Sequence, residues 1–284
     1  MQNCCIDEKF DVLQNGCING KLDVLQNCCI DRKLDVLHKY RILHRWIPRL
    51  EDRKSMKKLV IIPAYNESKS IERTVQDILT NAPDFDYVII NDCSTDNTLE
   101  VCRKNNFNVV DLPINMGIGG AVQTGYLYAF RNGYDMAVQF DGDGQHDAKY
   151  LDSMSEYLTE NALDMVIGSR FLEKEGFQST GARRIGIRYF SLLIRILTGK
   201  KVSDPTSGMR LINRRVMSVY AKDYPKDYPE PESVVAILKE GMVVKEVPVV
   251  MKERSDGVSS ISFKRSVYYM IKVTLAILME CLRH

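Results

Sequence analysis

From Leu59 onward the chain alternates two rhythms. Short apolar-rich runs fall at 59–62, 86–91, 108–112, 136–140 and 164–167, the first without a break and the others with one or two polar residues. Runs of that length and β-branched content have the signature of strands buried on both faces. Between them the apolar positions spread to helical spacing, as with Ile71, Val75, Ile78 and Leu79 inside 68–80. Helices are also predicted over 98–105, 117–132 and 147–160, the second of these opened by glycines. Pro63 is expected to close the first strand, since proline cannot donate to a ladder. Strand and helix in alternation argue for an α/β domain with a mostly parallel sheet. In such sheets ligands sit at the carboxyl ends of the strands. Beyond Arg170 the regularity stops.

The N-terminus follows another rule. Ile6, Ile18 and Ile30 recur at intervals of 12 within the units CIDEKFDVLQN, CINGKLDVLQN and CIDRKLDVLHK. Three copies of so short a unit are fewer and smaller than most solenoid repeats. A translated tandem repeat without packed structure is favoured over an interaction array or a cysteine-rich metal tag. The basic stretch 39–58 reads as a linker or surface helix, and Met56 is a candidate natural start. The expected organisation is 1–55 outside the core, a catalytic domain over 56–262, and an amphipathic C-terminal helix over 263–284.

Composition narrows the classes. The formal net charge of +2 gives no global field for nucleic acid. Five of the 8 cysteines lie in the repeats, with no CxxC pair of zinc spacing, so free thiols in a reducing cytosol are expected. Neither a signal peptide nor an apolar run of membrane-spanning length is visible.

Three polar clusters fall at predicted strand ends: Pro63-Ala64-Tyr65-Asn66-Glu67, Asn91-Asp92-Cys93-Ser94-Thr95-Asp96, and Asp141-Gly142-Asp143-Gly144-Gln145-His146. Each has a bland reading as a turn or helix cap. Their repetition along one sheet edge favours a site. Asp141 and Asp143, on a glycine-loosened loop, can converge on one hard cation. Magnesium prefers oxygen donors and completes its shell with water and substrate phosphates. Gln145 and His146 can add ligands or outer contacts.

These clusters resemble those of the family-two glycosyltransferases with a GT-A fold, a Rossmann-like, mostly parallel sheet flanked by helices. Within that family they are most similar to the polyprenyl-phosphate branch, typified by dolichol-phosphate mannose synthase. The similarity spans roughly 57–262. It implies that Pro63, Tyr65, Glu67 and Ile90 line the nucleotide pocket and that Asp92 contacts base or ribose. It implies that Asp141, with Gly142 beside it, and Asp143 hold the donor diphosphate through Mg2+ or Mn2+, with Gln145 assisting. Asn115-Met116-Gly117-Ile118-Gly119-Gly120 resembles the family's donor-side Asn-x-Gly-x-Gly loop, with a plain glycine helix start as the alternative. Gly168-Ser169-Arg170 and Arg184 correspond to arginines that grip a lipid phosphate, a task suited to the bidentate guanidinium. Asp204, in Asp204-Pro205-Thr206-Ser207-Gly208-Met209-Arg210, is then a candidate to position or deprotonate the acceptor. The resemblance further implies that Arg254 reaches the diphosphate from a closing loop, in which Ser260 stands where the family commonly has a lysine. Acidic residues between Asp223 and Glu232 serve either the helix start or the acceptor side.

The implied reaction is transfer from a nucleotide-sugar to undecaprenyl or dolichyl phosphate, with inversion, feeding cell-surface and cell-wall glycan synthesis. A UDP-sugar is favoured as donor, and GDP-mannose also fits. Such an enzyme works peripherally at the cytoplasmic face of a membrane, which 183–200 and 266–282 can contact as basic amphipathic helices. Packing on the sheet or a second subunit is the bland alternative. A small membrane-protein partner and a homo-oligomer are both compatible with this reading. The rival functions are a soluble family-two transferase acting on a polysaccharide or protein hydroxyl, and a catalytically dead binding module. Intact Asp141, Asp143 and Gln145 argue against the second.

Overall fold

The computed structural model describes residues 56–173, 181–252 and 263–283. Among these, seven strands form one sheet in the order β3-β2-β1-β4-β6-β5-β7. They are β1 (Lys58–Ala64), β2 (Phe85–Asn91), β3 (Val109–Asp111), β4 (Met136–Gln139), β5 (Met165–Ser169), β6 (Arg210–Asn213) and β7 (Val244–Pro248). The helices are α1 (Ile71–Asn81), α2 (Thr98–Lys104), α3 (Gly117–Arg131), α4 (Leu151–Glu160), α5 (Gly181–Thr198), α6 (Arg214–Tyr220), α7 (Pro229–Lys239) and α8 (Phe263–Arg283). A 3-10 turn, Ala148–Tyr150, leads into α4. The predicted strands and helices up to 167 are all present, with ends shifted by a few residues.

Successive β1 residues serve opposite faces, as the pleat requires. Leu59 and Ile61 join one buried cluster with residues of α3, α5, α6, α7 and α8. Val60 and Ile62 join the other, with residues of α1, α2 and α4. Double coverage is why these strands read as apolar-rich runs rather than as alternating ones.

Pro63 does not end β1. The strand runs on to Ala64, with Pro63 opposite Ile90 and Ala64 opposite Asn91. The Phe140 N–H donates to the Ile61 carbonyl, so odd-numbered β1 residues face β4, and pairing with β4 stops at Ile61. The proline nitrogen therefore points past the end of that ladder, where no hydrogen bond is lost.

The irregular stretch after Arg170 hides a strand that matters for the site. β6 runs antiparallel between β4 and β5, with Arg210 opposite both Gln139 and Ile167. Since β1, β2, β4 and β5 are mutually parallel, their carboxyl ends share one edge. An antiparallel β6 delivers its amino end, and the 204–209 loop before it, to that same edge.

Helix α8 lies against α7 and α5. Tyr269 meets Phe190 at 5.6 Å and Tyr228 at 4.6 Å between ring centroids. Lys272 pairs with Asp227 at 2.6 Å. Tyr228 holds φ of 53° just before α7, a left-handed conformation uncommon for an aromatic residue. The carbonyls of Pro225 and Lys226 press on the first turn of α3. A Cβ on Gly119 would stand 2.1 Å from the former, so glycine alone fits there.

Candidate active site

The loops after β1 and β2 are zipped together. Asn66, at φ 60°, accepts the Thr95 N–H at 2.8 Å on its side-chain oxygen and donates its own N–H to Ser94 Oγ at 3.0 Å. The Glu67 N–H reaches Thr98 Oγ1 at 2.9 Å, and the Ser68 N–H reaches Asp96 Oδ2 at 3.2 Å. Burial works against ionisation of Asp96, but the hydrogen bonds from Ser68 and Thr98 outweigh it and hold the carboxyl below its usual range. Ser94 and Asp96 thus act as loop fasteners, and Asp96 Oδ1 also accepts the Thr98 N–H at the start of α2. Tyr65 is left 48% exposed above them.

Asp92 is almost fully buried. Its Oδ1 accepts the Met116 N–H at 2.7 Å and its carbonyl accepts Asn115 Nδ2 at 3.1 Å. The second cluster is thereby fixed to the glycine-rich turn that opens α3. Ile90 departs from expectation. It is fully buried in the core with Leu112 and Val122, because alternation along β2 turns it toward α3. Its side chain has no face on the cleft.

The 141–147 loop is held from behind. Thr74 Oγ1 donates to the Gly142 carbonyl at 3.2 Å and the Lys252 N–H to the Gln145 carbonyl at 2.9 Å. His146 is buried, and its Nδ1 accepts the Asp141 N–H at 3.0 Å. In the neutral ring the proton then sits on Nε2, which lies 3.6 Å from Asp141 Oδ2. Histidine here shapes the loop. Asp143 Oδ1 accepts the Gln145 N–H at 3.0 Å, closing a tight turn, and Gly144 has φ of 77°. The Asp141 side chain is 36% exposed. Among the described residues no cluster of three or more His, Cys, Asp and Glu has metal-holding geometry. Two carboxylates and an amide nonetheless fit Mg2+ or Mn2+, which take oxygen donors and draw the rest of their shell from water and substrate phosphate.

On the other side of the edge, Arg170 and Asp204 form a buried fork. Nε and Nη2 of Arg170 each lie 2.7 Å from a different oxygen of Asp204, and the Arg170 N–H adds a third bond at 3.2 Å. Thr206 Oγ1 accepts a further bond from Nη2 at 2.9 Å. Asp204 is 0% exposed, and its backbone N–H donates to Glu246 at 2.8 Å. Of the two roles expected for Asp204, positioning or deprotonating the acceptor, the second is corrected: both oxygens are taken by a guanidinium and neither faces solvent, which leaves positioning. Asp204 holds Arg170 through three hydrogen bonds. A cavity of about 430 Å³ opens beside that arginine, lined also by Tyr150, Tyr157 and Val249. Arg210, the last residue of the same motif, is wholly buried. It donates to the carbonyls of Pro205, Ser207 and Glu230, stapling the loop to α7. Burial raises the phenols of Tyr126, Tyr220 and Tyr224 around it well above the usual range. Arg184 is half-buried in the first turn of α5. Arg254 lies outside the described residues.

The model of the family described as "Glycosyl transferase family 2" matches residues 59–220, more than half of the chain and all the clusters above. The chain belongs to glycosyl transferase family 2. Among relatives of this glycosyltransferase, a UDP-N-acetylglucosamine–dolichyl-phosphate N-acetylglucosaminyltransferase of Methanococcus voltae is 28% identical, over 67% of this chain and 83% of that protein. A polyprenol monophosphomannose synthase of Mycolicibacterium smegmatis is 27% identical, over 78% and 87%. Such relatives support the polyprenyl-phosphate branch. Glucosyl-3-phosphoglycerate synthase from Mycobacterium tuberculosis, solved with Mn2+, UDP-glucose and phosphoglyceric acid, superposes with a TM-score of 0.63. It is 18% identical and covers 80% of each chain, which establishes the GT-A-like fold.

Two residues that contact the candidate site residues were not singled out in the sequence. Glu246, in the edge strand β7, accepts the N–H groups of Ser203 and Asp204. Gln139 carried a signal: it is the one polar residue in the apolar run 136–140.

Proposed function

We propose that this glycosyltransferase moves a sugar from a nucleoside-diphosphate donor to a polyprenyl phosphate. The observation that carries this reading is the buried Arg170–Asp204 fork, with both Asp204 oxygens engaged. A sugar hydroxyl needs a base, and Asp204 cannot serve as one. A phosphate monoester needs none, since its second pKa near ~6 leaves it largely dianionic at neutrality. What it needs is a pre-oriented cation, which Asp204 makes of Arg170, with Arg184 as the second.

The donor belongs at the other end of the edge. Pro63, Tyr65, Glu67 and Asp92 bind the nucleotide, and a UDP-sugar is favoured over GDP-mannose. Asp141, Asp143 and Gln145 hold Mg2+ or Mn2+, which supplies positive charge to the diphosphate leaving group. The acceptor phosphate oxygen bonds to the anomeric carbon, the bond to the donor β-phosphate breaks, and the nucleoside diphosphate departs. The test is transfer from a panel of labelled nucleotide-sugars to polyprenyl phosphate. One donor should give a lipid-linked product. Labelling of a polysaccharide or protein hydroxyl, with none of the lipid, would overturn the reading.

No helix among the described residues is long and apolar enough to cross a membrane. We propose instead that α5 and α8 rest on the cytoplasmic membrane surface. Ile185, Tyr189, Leu192 and Ile196 are exposed along one stripe of α5, beside Arg188 and Arg195. Ile271, Leu275 and Met279 continue an exposed apolar stripe on α8. Apolar stripes with basic flanks suit anionic lipid. The protein should float with phosphatidylserine vesicles at low salt. Ile196→Asp should lower the bound fraction several-fold; unchanged flotation would count against this face.

A further inference from the structure

Gln139 does not fit its strand. The rest of β4, Met136, Ala137 and Val138, is core, and Gln139 itself is only 1% exposed. Its Nε2 lies 3.3 Å from Asp141 Oδ1. Its Oε1 is buried without a hydrogen-bond partner among the described residues. A carboxylate only accepts, so the amide must turn its NH2 end toward Asp141, and that choice strands the carbonyl end. A buried acceptor with no donor destabilises a fold, and an apolar side chain of similar shape does better. Fold stability therefore gives no reason for glutamine here. The orientation of Asp141 does.

An independent observation comes from the 204–209 loop. A Cβ added to Gly208 would stand 2.8 Å from Asp141 Oδ2, 3.1 Å from Oδ1 and 3.2 Å from Gln139 Nε2. Gly208 is not among the residues of positive φ, so its backbone makes no demand for glycine. The space does. The Asp141 carboxylate is wedged between the Gln139 amide and the bare Cα of Gly208.

We infer that Gln139 and Gly208 are positioning residues that fix the Asp141 carboxylate in the orientation required to take a divalent cation. This rests on the reading of Asp141 as a metal ligand. Carboxylates that hold metals are commonly oriented by such outer partners, whose loss weakens metal binding by about 10–100-fold.

The experiment titrates Mn2+ into the full chain in the presence of UDP, following loss of the free Mn2+ electron paramagnetic resonance signal, and measures thermal unfolding alongside. Wild type should bind and Asp141→Asn should not. Gln139→Leu should bind about 10–100-fold more weakly while melting at the wild-type temperature or above. Gly208→Ala, whose methyl displaces only a movable carboxylate, should lose affinity similarly and stay folded. Binding by wild type, lost in Asp141→Asn but unchanged in both other variants, overturns this inference and leaves the metal reading standing. Failure of wild type to bind Mn2+ overturns the metal reading itself. A Gln139→Leu protein that melts lower or fails to fold shows a structural role instead.

Discussion

Asp141→Asn should lower sugar transfer by about three orders of magnitude while the protein stays folded. A metal that neutralises a departing diphosphate is worth several kcal/mol in the transition state. At about 1.36 kcal/mol per decade, a loss of ~4 kcal/mol is a factor of about 10³. The substitution keeps the volume and removes the charge. Asp141 is a third exposed on a loop, and its backbone N–H bond to His146 does not depend on the carboxylate, so stability should change by less than about 0.5 kcal/mol. Initial rates at saturating Mn2+, with a melting curve for each protein, make the comparison. Retention of more than about a tenth of wild-type activity would remove Asp141 from the chemistry.

Asp204→Ala should destabilise the protein by about 3–5 kcal/mol, the range for breaking one partner of a buried ion pair. The magnitude follows from what is left behind. Arg170 is 6% exposed, and without Asp204 its charge would lie buried with three of its hydrogen bonds broken. Replacing both partners, as Arg170→Met with Asp204→Ala, removes the charge along with its counterion and should recover much of the loss. The cycle of singles and double by urea denaturation measures the coupling directly. An Asp204→Ala protein within about 1 kcal/mol of wild type would show that the fork does not hold the loop. The double variant also separates fold from function: it should fold, yet lose transfer to the lipid phosphate.

How far the sequence could be read depended on the range of each interaction. The parallel half was legible because double burial leaves a local mark, an apolar run between helical stretches, at each of β1, β2 and β4. The polar clusters were legible because they interrupt that pattern at its ends. Pro63 misled, because whether its missing N–H matters depends on where the β4 ladder stops. Ile90 misled in the other direction: closeness to Asp92 in sequence suggested the cleft, and the pleat turned it into the core. Nothing local marked β6 as antiparallel, and its direction is what carries the 204–209 loop to the catalytic edge.

By itself, then, the sequence determined the family, the alternating architecture, and the acidic pair Asp141 and Asp143 at a strand end. These are written in short windows whose patterning and spacing survive without coordinates. The tertiary structure decided what those residues do to one another. Asp204 became the partner of Arg170 across 34 positions of chain. Gln139 closed on Asp141 from β4 and Gly208 from the loop before β6, two segments whose adjacency no local pattern announces. The physical reason is the same in both cases. Charge and hydrogen bonding act over a few ångströms of space, and only the packed sheet sets which distant residues come that close.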